Sequence, residues 1–95
     1  VKVSFRPVVA RDLLEIASFI ADDNPERART FVAELLDKCS VVASRPKAGR
    51  LRPEIGEGVR SRAYRGYVIL YRVEPERVRV LRIVHGARDI ERLAV

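Results

Sequence analysis

The sequence predicts an α+β domain: an N-terminal strand, a two-helix antiparallel hairpin, then a three-stranded antiparallel meander, with the helices packed on one face of the sheet. Three observations predict it. Residues alternate apolar and polar at the start, apolar stripes at helical spacing fill the middle, and alternating segments separated by turn residues fill the second half. Ninety-five residues, 47% of them apolar, can build one core but not two, so residues 1–95 are read as a single domain without repeats, linkers or low-complexity tract.

Val1, Val3 and Phe5 share one side and Lys2 and Ser4 the other, a period-two strand ended by Pro7. From about Ala10 to Ala21 the period changes. Leu13, Ile16, Ala17 and Ile20 recur at helical spacing, Leu14 and Phe19 widen the stripe, and Asp12 and Glu15 fall near the positive N-terminal end. Asn24-Pro25 supplies a cap and a first-turn proline for a second helix, which should persist to about Ala43. Its stripe is Ala28, Phe31, Val32, Leu35, Leu36, Cys39 and Val42, and Pro46 forbids continuation. Residues 44–57, with Pro46, Gly49, Pro53 and Gly56, read as a loop that Leu51 and Ile55 pin to the body. Strands follow at roughly Gly58–Tyr64, Tyr67–Val73 and Arg77–His85, with turns at Arg65-Gly66 and Glu74-Pro75-Glu76.

The net charge of +6 is unevenly placed. Residues 1–45 carry seven basic and seven acidic side chains; residues 46–95 carry twelve and six, so the whole excess lies where the meander is predicted. A basic sheet calls for an acidic partner, nucleic acid or protein, and charge alone does not choose. No apolar run approaches the roughly 20 residues that cross a bilayer, and no signal-type segment leads the chain, so a cytoplasmic protein without membrane contact is expected. The chain starts at Val1 and holds no Met, so an initiator ahead of Val1 is expected and the true N-terminus stays open. Cys39, alone and within a helical stripe, should be a buried, inert thiol.

The usual chemistries find no support. One histidine, His85, and one cysteine give no CxxC or HExxH spacing, so neither a metal nor a cofactor is expected; no serine sits in a G-x-S-x-G context, and no phosphate-binding glycine loop occurs. What remains is an arginine supply on paired strands: Arg60, Arg62, Arg65, Arg72, Arg79, Arg82 and Arg88, with His85. Alternation puts Arg60, Arg62 and Tyr64 on one face of their strand, free to bind, and groups Val78, Val80, Arg82 and Val84 against Arg79, Leu81, Ile83 and His85. The last two strands are thus apolar on both sides. The second apolar face must be covered by the C-terminal segment or by a partner, and a partner is the expectation. His85 is either a general base or a half-buried residue closing the last strand by hydrogen bonds.

Arg11-Asp12-Leu13 with Ile16 and Ile20, Asn24-Pro25 with Ala28 and Phe31, Gly49-Arg50, Gly58-Val59-Arg60-Ser61, Tyr67 to Arg72, Val78 to Val84 and His85 to Ile90 follow one another in a characteristic order. The ordered set resembles the ParE branch of the RelE/ParE toxin superfamily over nearly the whole chain. The resemblance implies the toxin of a type II toxin–antitoxin pair that blocks DNA gyrase by binding, with no catalysis. The RelE branch instead cleaves mRNA at the ribosome, and that endoribonuclease is the alternative. That branch carries lysines where Val59 and Ser61 stand, an arginine where Val68 follows Gly66-Tyr67, an arginine matched here by Arg88, and a C-terminal tyrosine absent after Asp89.

Under the resemblance, Arg60, Arg62, Arg82, His85 and Arg88 are the expected target-binding residues, and Leu13, Ala17, Ile20, Tyr67 and Tyr71 the expected antitoxin-binding ones. The implied antitoxin has a ribbon-helix-helix DNA-binding domain and an acidic C-terminal segment that folds around the toxin, so DNA is reached only through it. Such pairs serve plasmid stabilisation or a chromosomal role, and a non-toxic accessory that tunes operon repression is a third possibility.

Overall fold

The computed structural model describes residues 2–93. The elements are β1 (Lys2–Phe5), α1 (Val8–Ala21), α2 (Pro25–Ser44), a 3-10 turn (Pro46–Ala48), β2 (Arg50–Leu51), β3 (Val59–Tyr64), β4 (Tyr67–Glu74), β5 (Arg77–His85), α3 (Gly86–Asp89) and a final 3-10 turn (Ile90–Arg92). The predicted strand, hairpin and meander are all present. Val1 of the predicted first strand lies outside the described residues.

One sheet runs in the order β1-β5-β4-β3-β2. The meander is antiparallel, while β1 pairs parallel to β5 with Lys2 opposite Arg77 and Phe5 opposite Val80. The turn between β3 and β4 is a two-residue one in which Arg65 (φ 46°) and Gly66 (φ 86°) both adopt left-handed backbone, the geometry that matches the twist of a tight hairpin. The predicted loop 44–57 contains an additional strand, β2, which brings the sheet to five strands. It pairs with only Ser61 and Arg60, so two residues left no periodic trace.

Pro7 does not simply end the first strand. It caps α1, which starts at Val8, two residues earlier than predicted. Asp12 therefore sits beyond the first turn, buried, and does not serve the helix dipole. For α2 the predicted signals operate as written: Asn24 Oδ1 accepts from the Arg27 N–H at 3.1 Å, Pro25 takes the first turn, and the helix stops just before Pro46.

The helix side of the sheet carries the larger core. Val9 and Ile16 of α1 and Phe31, Leu35, Cys39 and Val42 of α2 meet Tyr67, Ile69, Tyr71, Val78, Val80 and Ile83. A fully buried leucine such as Leu35 contributes about 2–3 kcal/mol by leaving water. Cys39 is buried there, and desolvation raises its thiol pKa to about 11, so it is an unreactive filler.

The opposite face holds Ile55, Val59, Leu70, Leu81 and Val84, and against it pack Val68, Ile90 and Leu93. The chain's own C-terminal segment, with the loop bearing Ile55, covers the face that a partner was expected to cover. A correction to β5 accompanies this. Consecutive Leu70 and Tyr71 pair with Arg82 and Val80, so Leu81 is an extra residue in β5. The bulge swaps the faces beyond it: Ile83, not Val84, joins Val78 and Val80 on the helix side.

Candidate functional site

The expected target-binding residues fall into two separate groups. Arg60 and Arg62 stand opposite Tyr71 and Ile69, on the helix side of the sheet. Arg82 and His85 lie on β5, two strands across from β3, and Arg88 follows in α3, roughly 10 Å or more away given strand spacing. No single arginine surface joins them.

The Arg60 side chain is partly committed within the chain. Its Nη1 donates to the carbonyls of Lys47 (3.1 Å) and Gly49 (2.8 Å), and the Tyr71 hydroxyl donates to the Pro46 carbonyl at 2.6 Å. Together these side chains fasten the 3-10 turn to the sheet. Gly49 is the only residue type that fits there, since a Cβ would stand 2.0 Å from the Tyr71 hydroxyl.

At the other end, an open pocket of about 230 Å³ is lined by Asp12, Phe19, Tyr67, Arg82, His85 and Arg88, among others. Arg82 does not project as a free cation. Its Nε and Nη2 both donate to the Asp12 carboxylate at 2.8 Å, and Asp12 Oδ2 also accepts from the Ile83 backbone N–H at 3.1 Å. The physical reason is the shortness of β1, whose pairing stops at Val80 and leaves the outer edge of β5 to be satisfied by Asp12. The hydrogen bond to Asp12 raises the Arg82 pKa further.

Arg88 pairs with Asp89 (Nη2 to Oδ2, 3.2 Å), whose pKa that contact lowers. His85 is half-buried, edge-on to Tyr67 at 5.4 Å between centroids, and its Nδ1 accepts from the Arg88 N–H at 3.2 Å, capping α3. Through this bond His85 serves as the cap that closes the last strand. The positive charge of this pocket is largely neutralised within the chain.

Of the expected antitoxin contacts, Leu13, Ala17 and Ile20 are half-buried on α1. Tyr71 has no exposed surface and Tyr67 little, because both face the helix-side core, so neither is open to a partner. Sequence reasoning missed better-exposed apolar residues: Leu14 and Phe19 on α1 are 68% and 63% exposed. Between α1 and α2 runs an open groove lined by Ala17, Ala21, Pro25, Ala28, Arg29 and Val32. Asp12 was also missed, although its spacing from Val9 and Ile16 put it on the buried stripe of α1.

The family profile described as the ParE toxin of type II toxin–antitoxin system, parDE, matches residues 3–90. This chain belongs to the ParE toxin family. Among solved structures, the toxin is similar to a chain of the chromosomal ParDE toxin–antitoxin system from P. aeruginosa, with 22% identity, a TM-score of 0.76, and 88% of this chain and 94% of that one covered. It is also similar to a chain of the RelBE2 toxin–antitoxin complex from Mycobacterium tuberculosis, with 27% identity, a TM-score of 0.65, and coverage of 88% and 95%. No curated protein matches this chain. Among the described residues of the toxin, no helix is long and apolar enough to cross a membrane.

Proposed function

We propose that this toxin acts by binding DNA gyrase and disturbing its strand-passage cycle, without breaking bonds itself, and that a cognate antitoxin neutralises it. The observation that carries this reading is the state of the sheet face turned away from the helices. The positions matched to the lysines and the arginine of the RNA-cleaving branch, Val59, Ser61 and Val68, lie on that face. Val59 and Ser61 are buried, and Val59 and Val68 belong to the apolar cluster closed by Ile90 and Leu93. These three side chains offer neither a general base nor a positive charge to a scissile phosphate.

The antitoxin reading rests on the complexes to which the chain is similar, ParDE and RelBE2, and on the groove between α1 and α2. An acidic, amphipathic tail folding along Ala17, Ala21 and Val32 would bury the exposed Leu14 at its margin and meet Arg29. The antitoxin is expected to carry a ribbon-helix-helix DNA-binding domain.

Purified toxin should inhibit supercoiling by purified gyrase and leave mRNA intact on translating ribosomes. Cleaved message with unaffected supercoiling would reverse the reading in favour of the endoribonuclease.

A further inference from the structure

We infer that the open cavity where the 3-10 turn, β2, the start of β3 and the end of β4 converge binds the phosphate backbone of duplex DNA. Its volume is about 460 Å³, and its lining includes Lys47, Leu51, Glu57, Arg60, Arg72 and Val73. Three cations face one carboxylate there. Among the described residues none of Lys47, Arg60 and Arg72 has a carboxylate within ion-pair distance, in contrast to Arg82 and Arg88 in the other pocket.

The two guanidiniums are held in place without being neutralised. Arg60 spends only Nη1, on the carbonyls of Lys47 and Gly49, and Arg72 spends only Nε, on the Glu57 carbonyl at 3.0 Å. Arg72 keeps both Nη groups and Arg60 keeps Nε and Nη2 without partners among the described residues. Arg60 leaves β3 on the helix side and Arg72 leaves β4 on the opposite one, both lining the cavity, and each fork suits the planar, bidentate recognition of phosphate oxygens.

The lining also discriminates between classes of partner. Protein interfaces are anchored by buried aromatic and apolar side chains and depleted in lysine, whereas here only Leu51 and Val73 among the lining residues are large and apolar. The lining has no aromatic platform on which unpaired bases stack, so a paired backbone is the occupant, held without reading its sequence. The choice of DNA over an RNA duplex rests on the gyrase reading, since gyrase works on double-stranded DNA. Direct contact of this kind departs from the expectation that DNA is reached only through the antitoxin.

The test is fluorescence anisotropy of a short, labelled, mixed-sequence DNA duplex titrated with purified toxin at several salt concentrations. Affinity should fall with salt, and the pair Lys47→Gln with Arg72→Gln should flatten the logarithmic salt slope by about 2 and weaken low-salt binding roughly tenfold or more. Removing the same charge from β1 and α1, by Lys2→Gln with Arg11→Gln, should leave the slope in place. If the double variant melts early, Lys47→Glu serves alone, because the Lys47 ammonium has no hydrogen bond among the described residues.

Three results would overturn the proposal: no salt-dependent binding, equal losses in the two double variants, or preference for an RNA duplex. A toxin that inhibits gyrase yet ignores the duplex removes this site and leaves the gyrase reading standing. Duplex binding lost in the Lys47 and Arg72 variant, with no effect on gyrase, supports the site and removes that reading.

Discussion

Asp12 carries more of the architecture than any other charged residue described here, because one carboxylate satisfies a backbone donor of β5 and a guanidinium 70 positions away in sequence. Asp12→Ala should lower stability by about 3 kcal/mol, since it leaves the Ile83 N–H unsatisfied and Arg82 uncompensated. Adding Arg82→Ala should cost less than the sum of the single losses, measured by urea denaturation. The spacing of Asp12 from Val9 and Ile16 made its burial legible. Its partner was not, because alternation placed Arg82 among free surface arginines. Glu34 acts at the same scale: hydrogen bonds from Arg27 and then Tyr64 hold its pKa at about 2. A folded-state pKa below the unfolded one adds stability above the ordinary value of 4.5, lost as pH falls from there toward about 2. Glu34→Gln should therefore flatten the acid limb of the stability profile in that window, and a wild-type limb that is already flat would contradict the assignment.

Among elements, the helices were the most legible, because Asn24-Pro25 and the stripe from Ala28 to Val42 state cap, period and buried face together. The 3-10 turn and β2 were not, since each is too short to show a period and is held by contacts from distant positions, Tyr71 and Arg60. Gly49 shows how tight that junction is. Gly49→Ala should destabilise by about 2 kcal/mol through overpacking against Tyr71. Tyr71→Phe alone should cost about 1 kcal/mol for the lost hydroxyl bond. Combined, they should cost less than their sum, because the hydroxyl is the atom nearest the added methyl; strictly additive losses in thermal melts would count against this packing. The bulge at Leu81 escaped sequence reasoning for a different reason. Val80, Leu81, Ile83 and Val84 are all apolar, so a one-residue slip leaves the pattern unchanged.

For the molecule as a whole, the sequence displayed a sheet apolar on both sides but not what closes the second side. The segment after β5 is short, and among the described residues its contribution comes from Ile90 and Leu93, which carry no helical period. Ile90→Asp should cost about 2 kcal/mol and expose Leu70, Leu81 and Val84. Light scattering should then report self-association at concentrations where the parent chain is monodisperse. The excess positive charge in the second half was also legible, yet its distribution was not. Composition cannot show that Arg82 and Arg88 are matched by Asp12 and Asp89 while Lys47 and Arg72 are left open.

The place of β5 between β1 and β4 has a consequence for synthesis. Of the five strands, β5 leaves the ribosome last and joins the opening segment to everything made in between, so the sheet cannot close until Arg77–His85 has been made. A message broken upstream of the codons for Arg77–His85 would yield only an unfinished fragment whose first strand has nothing to pair with.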